Sequence, residues 1–178
     1  MRIISGSHKG RQFNPPKGFK SRPTTDLARE SLFNILSNSY QLDGLMVFDF
    51  FSGSGSIGFE FASRGAEKVI CIEKSFPVYK QLVKNAKEMG LTNVEIVIKD
   101  VFRWIEKNDV KADIIFADPP FELKGVVELP HLILNKKLLN SGGCLILEHS
   151  SSLNFEEIKE YSYTKKYGAV HFSFFFVD

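Results

Sequence analysis

From residue 45 onward, short apolar runs alternate with stretches whose apolar residues recur at helical spacing. Residues 45–51, 68–73, 94–99, 112–117 and 143–148 read as strands. Their near-continuous apolar character is what parallel strands covered on both faces require. Between them, residues 56–64, 76–89, 101–107 and 125–139 read as helices, with Pro130 bending or splitting the last. Pro77 falls in the first turn of the 76–89 helix and Gly90 supplies its stop. A short helix over 155–160 and strands over 161–166 and 169–177 complete the pattern. The tight Lys166-Tyr167-Gly168 turn makes the last strand antiparallel to its predecessor. Upstream, Thr24 or Thr25 caps a helix running to about residue 37, with Leu27, Leu32, Phe33, Ile35 and Leu36 on its apolar side. At the N-terminus, Arg2-Ile3-Ile4-Ser5 and Arg11-Gln12-Phe13 flank a glycine-bounded loop, the pattern of a strand–loop–strand hairpin. The expected class is α/β, with a mostly parallel sheet between two helical layers.

The chain has 178 residues, enough for one domain that buries roughly 70% of its unfolded surface. It is 43% hydrophobic and 25% charged, ordinary globular values. No apolar run approaches a membrane span, and no secretory signal opens the chain, so a cytoplasmic setting is expected. Cys71 and Cys144 lie inside strand-like runs and read as buried, reduced thiols. The four histidines show no metal-ligand spacing with them, so no metal is expected.

Charge is distributed unevenly. The first 25 residues carry Arg2, Lys9, Arg11, Lys17, Lys20 and Arg22 and no acid, a charge of +6 against −4 for the remainder. An ordered basic arm on a mildly acidic body suits a polyanionic partner. A division at residues 1–24 (arm) and 25–178 (body) follows.

After the first strand of the body comes Asp49-Phe50-Phe51-Ser52-Gly53-Ser54-Gly55-Ser56-Ile57-Gly58, a G-x-G-x-x-G turn between strand and helix. Missing side chains let a ligand approach the backbone, as in nucleotide-like cofactor sites. The acids select among cofactors. Glu73, about 20 residues beyond the loop, suits a ribose with two hydroxyls. Asp49 lies where a dinucleotide would place pyrophosphate, which it repels, whereas the ammonium of a methionine moiety is attracted. Asp100 suits an adenine amino group, with Val101 and Phe102 to pack on the ring. Four acids, counting Asp118, fall at the C-terminal ends of four successive strands, the edge where open α/β sheets bind ligands. S-adenosylmethionine fits this set better than NAD. The absence of G-K-[ST] after the glycines argues against a nucleoside triphosphate.

Asp118-Pro119-Pro120-Phe121 follows the apolar run 112–117. Two prolines stiffen the turn and leave carbonyls free to accept. The carboxylate can accept from an amino group, and the ring can stack on a base.

These features together resemble the class I S-adenosylmethionine-dependent methyltransferases that act on exocyclic amines. Residues 2–11 (RIISGSHKGR) and 22–30 (RPTTDLARE) further resemble the opening of the RsmD-type 16S rRNA guanine-N2 methyltransferases. Ser5, Ser52 and Leu27-Ala28 depart modestly from that pattern. The resemblance spans essentially the whole chain. It implies a Rossmann-like, seven-stranded, mostly parallel sheet with an antiparallel last strand and a basic N-terminal hairpin. It also implies methylation of a guanine 2-amino group in 16S rRNA, within the small subunit or a late assembly particle, by a monomer. The catalytic set is then Asp118, Pro119, Pro120 and Phe121. The cofactor set is Thr25, Asp49, Ser52, Gly53, Ser54, Gly55, Glu73, Lys74, Asp100, Val101 and Asp118. The RNA set is Arg2, Lys9, Arg11, Lys17, Lys20, Arg22 and Arg29. An N6-adenine DNA methyltransferase shares D-P-P-[YF], but this chain has little length for a target-recognition region. A non-catalytic RNA-binding module would not need the intact acid set.

Overall fold

The computed structural model describes residues 1–16, 26–120 and 122–178. Thr24, Thr25, Lys17, Lys20, Arg22 and Phe121, named above, lie outside them. The described elements are α1 (Asp26–Ser39), β1 (Met46–Phe50), α2 (Ser56–Ser63), β2 (Lys68–Glu73), α3 (Phe76–Met89), β3 (Val94–Ile98), α4 (Val101–Lys107), β4 (Ala112–Ala117), α5 (Leu129–Asn135), β5 (Leu139–His149), β6 (Tyr161–Tyr167) and β7 (Val170–Phe176). The seven strands form one sheet in the order β3-β2-β1-β4-β5-β7-β6. Strands β1 to β5 pair in parallel, and β7 runs antiparallel to both β5 and β6. The order reverses at β1, which pairs with β2 on one side and β4 on the other, so the crevice between their C-terminal ends is the place for a ligand.

Period-two alternation splits the strands between two cores. Val47, Ile114, Phe116, Cys144 and Ile146 face a layer built from α1, α2 and α3. Phe48, Phe50, Ile115, Leu145 and Leu147 face α4 and α5. Phe48 and Phe50 both meet Trp104 of α4 edge-on, at centroid distances of 4.9 and 5.5 Å. Such rings contribute ~1.5–3 kcal/mol each through burial, and here they fix the floor under the β1 loop.

Two expectations are corrected. The 125–139 helix is only α5, Leu129–Asn135. Gly125 takes a left-handed φ of 87°, and Pro130 occupies the first turn, the one place where its missing N–H costs nothing. Residues 155–160 form turns rather than a helix, tucking Phe155 and Ile158 into the core while the Asn154 side chain accepts from the Glu156 amide at 2.8 Å.

The N-terminal segment contains one antiparallel bridge, Arg2 to Gln12, rather than two strands. It is docked on α2. The amides of Ile4 and Ser5 donate to the two carboxylate oxygens of fully buried Glu60 at 2.7 and 2.9 Å. Ser63 Oγ donates to the Ser5 carbonyl at 2.6 Å, and the Ser7 amide to the Ser63 carbonyl at 2.7 Å. Gly6 is obligatory at this junction, because a Cβ there would lie 1.8 Å from the Ser63 carbonyl oxygen. Ile3 and Phe13 belong to the same apolar cluster as α1, α2 and α3.

Candidate active site

The loop after β1 is built to leave space and aim donors. Phe51, Gly53 and Gly55 all have positive φ (59°, 52° and 79°), so the chain coils tightly before entering α2. For a phenylalanine that conformation costs on the order of 1–2 kcal/mol. The loop is held from both sides: Ser52 Oγ donates to the Asp49 carbonyl at 2.6 Å, and the Ser52 amide to Ile72 of β2 at 3.2 Å.

Asp49 is buried beneath this loop and accepts from the Gly58 amide at 3.0 Å. A carboxylate therefore occupies the N-terminal turn of α2, where an anion would otherwise bind. Gly58 permits the approach: a Cβ there would stand 2.8 Å from the Asp49 carboxylate and 2.6 Å from Cys71 Sγ. Burial, reinforced by the charge of Glu73, pushes the Asp49 carboxyl up to about 7 against the hydrogen bond from Gly58. Glu73 bridges the strand ends, accepting from the Gly53 amide at 3.1 Å and the Ser75 amide at 2.8 Å. A carboxylate has about four acceptor sites, so both oxygens keep capacity for ligand hydroxyls. Lys74 beside it is exposed, and Ser54 is buried in the loop. Asp100 caps α4 by accepting from the Arg103 amide at 3.2 Å. Val101 is buried next to it, and Phe102 meets Phe51 edge-on at 6.3 Å.

Asp118 directly follows β4, its amide donating to the Phe50 carbonyl at 3.3 Å across the switch point. It is half-buried, and its carboxyl is pushed well above the usual range by burial, then by the charges of Glu148 and Asp49. Pro119 is buried and Pro120 exposed, so the diproline corner has one inner and one outer face. Beside it opens a cleft of about 140 Å³, lined by Pro119, Pro120, Val126, Glu148, His149 and Leu153 among others. That volume is close to the ~150 Å³ that takes up a benzene ring, so a flat ring fits it.

Glu148 and His149 were not in the sequence-derived set. The signal was present: an acid and an imidazole end the apolar run of β5 at the same sheet edge as the other acids. His149 is a fixed wall. Its Nδ1 bonds the Ser150 carbonyl and its Nε2 the Ser173 hydroxyl, each at 2.7 Å, which makes Nδ1 the protonated nitrogen. Burial lowers its proton affinity, so the ring is neutral near pH 7.

The basic residues divide. Lys9 is exposed, Arg2 is exposed and pairs with Asp26 at 3.1 Å, and Arg11 reaches the Met89 carbonyl at 2.6 Å. Arg29 is not on the surface. Its side chain is fully buried, donating to the Arg2 carbonyl at 2.6 Å and to Asp26 at 3.0 Å. It holds the arm to α1 and is not placed to touch a phosphate.

The family described as "Conserved hypothetical protein 95" matches residues 1–176. The ribosomal RNA small subunit methyltransferase D of Buchnera aphidicola (from Acyrthosiphon pisum) is 34% identical over 165 residues, 92% of this chain and 85% of its own. The chain belongs to the ribosomal RNA small subunit methyltransferase D family. The Bacillus subtilis protein YlbH, also named as an rRNA methyltransferase, is 34% identical over 88% of this chain and 86% of its own. Among solved structures, the Escherichia coli protein yhhF superposes with a TM-score of 0.88 at 28% identity, over 100% of this chain and 98% of that one.

Proposed function

We propose that this chain transfers the methyl group of S-adenosylmethionine to the exocyclic 2-amino group of a guanine in 16S rRNA of the small ribosomal subunit. Family membership makes it a methyltransferase. The observation that supports the finer reading is the row of acids at the sheet edge beside a stiff diproline cleft. A buried carboxylate at the α2 N-terminus disfavours pyrophosphate and favours a cationic ligand. The residues present fit the cofactor: Asp49 would hold its ammonium, Glu73 its ribose hydroxyls, and Asp100 with Val101 its adenine. The residues of the glycine loop (Ser52, Gly53, Ser54, Gly55), with Lys74 and Thr25, would complete its cradle.

The bound cofactor supplies an electrophilic methyl on a sulfonium, whose positive charge favours ionised neighbours. The protein's task is alignment, worth several kcal/mol. An exocyclic amine is a weak nucleophile because its lone pair is delocalised into the ring. Asp118 and the Pro119 carbonyl accept its two N–H groups and turn the lone pair toward the methyl. When bound, the cofactor would supply the methyl to that nitrogen and be left as a neutral thioether. Asp118 takes the amine proton, a role that its raised proton affinity suits. Phe121 stacks on the base, for ~1–3 kcal/mol. Residues 1–24 form the RNA-contacting arm on the body at 25–178, with Arg2, Lys9, Arg11, Lys17, Lys20 and Arg22 meeting phosphate.

The test is transfer of labelled methyl to small subunits from cells lacking this protein, with duplex DNA as comparator and mapping of the modified nucleotide. Label on a guanine N2 of 16S rRNA is expected. Label only on adenine N6, or none, overturns the reading.

A further inference from the structure

We infer that Glu148 is the specificity-determining residue of the target cleft, accepting the N1–H of the guanine and thereby rejecting a base that presents an acceptor at N1. This rests on the guanine reading above and deepens it. The pairing of Ala117 with Leu147 places Asp118 and Glu148 side by side, one residue further along two adjacent parallel strands. By alternation both leave the sheet on the face of Phe116 and Ile146. Glu148 is itself 3% exposed and lines the same cleft as Pro119 and Pro120.

Two carboxylates side by side at the sheet edge, Glu148 being the one that lines the cleft, match one nucleobase edge. Guanine presents N1–H and the 2-amino group as adjacent donors, and a pair of acceptors side by side satisfies both. Adenine presents an amine beside a bare N1 acceptor, which would face a carboxylate oxygen without a proton between them. Leaving buried polar groups unpaired is what gives a site strong discrimination, where shape alone gives little. Division of labour follows: Asp118 serves the amine that reacts, Glu148 the ring N–H that does not. The engagement of Glu148 within the fold is compatible with this, since a carboxylate has about four acceptor sites. Its negative charge also raises the proton affinity of Asp118, so the reader of the base strengthens the acceptor of the proton.

The test uses small subunits reconstituted with ligated rRNA carrying either guanine or 2-aminopurine at the mapped position. 2-Aminopurine keeps the reacting amine but has no N1–H. The wild-type protein is expected to prefer guanine by roughly 10–100-fold in kcat/KM, the worth of one charge-assisted hydrogen bond. Glu148→Gln, whose amide can donate to N1, is expected to lose guanine activity by a similar factor and to narrow the preference to within about threefold, with S-adenosylmethionine affinity unchanged. If Gln fails to fold, Glu148→Asp serves, its shorter side chain withdrawing the acceptor and again narrowing the preference. Wild-type protein that methylates both bases equally, or variants that keep the wild-type preference, overturn the inference while leaving guanine methylation intact. Wild-type protein that methylates neither subunit overturns the functional reading instead.

Discussion

Replacing Asp49 by asparagine separates the cost of a buried acid from its use. The asparagine carbonyl can still accept from the Gly58 amide at the 3.0 Å position, so the fold keeps that bond and loses only the ionisable proton. In the wild type the carboxyl is raised from 3.8 to about 7, chiefly by burial. The folded state therefore binds the proton more tightly than the unfolded chain. That contribution to stability is fully present below the unfolded value and is lost as pH rises through the folded one. Three units at ~1.36 kcal/mol per unit make ionised Asp49 cost ~4 kcal/mol at pH 8, of which roughly 2–3 kcal/mol develops between pH 5 and 8. Urea unfolding of both proteins across that range is expected to give a difference that grows with pH in favour of Asp49→Asn. Calorimetry with S-adenosylmethionine is expected to show the opposite preference, the variant binding ~10–100-fold more weakly for want of one charge-assisted contact. Parallel stability profiles together with equal cofactor affinity would refute the placement of a strained carboxylate at a cationic ligand.

Three further outcomes are expected. Asp118→Ala abolishes methyl transfer while calorimetric cofactor binding survives, and full turnover would remove its role. Glu60→Ala, which strands the Ile4 and Ser5 amides and the Arg64 partner, costs ~2–5 kcal/mol in urea unfolding, and a loss under ~1 kcal/mol would show that the arm is not pinned there. Alanine at Arg2, Lys9 and Arg11 reduces the salt dependence of RNA binding by ~0.7–0.9 in slope for each phosphate no longer neutralised. Substitution is preferable to truncation because Ile3 and Phe13 belong to the core, and an unchanged slope would move the RNA grip elsewhere.

The parallel strands and the 76–89 helix were legible because each carries a local signal that tertiary structure does not contradict. Pro77 opens that helix and Gly90 closes it in a left-handed conformation with φ 71°. Residues 125–139 misled because their apolar spacing suits a helix, while the decisive constraints are two single residues, Gly125 and Pro130. The family resemblance implies an RNA contact for Arg29, but it lies at helical spacing from Leu32, Phe33 and Leu36 and so on the buried face of α1. The acids at the ends of β1, β2 and β4 stood out because they interrupt apolar runs. Glu148 interrupts one equally, but no motif surrounds it, and only the register of β4 against β5 sets it beside Asp118.

The helix α2 acts as a fixed ruler. Its N-terminal end carries the glycine loop, and Glu60 and Ser63 near its other end hold the arm. Eight residues span ~12 Å, and inserting one would advance the far end by ~1.5 Å and swing it by about 100°. The separation between the docked N-terminal segment and the glycine loop is thus set by the length of one short helix.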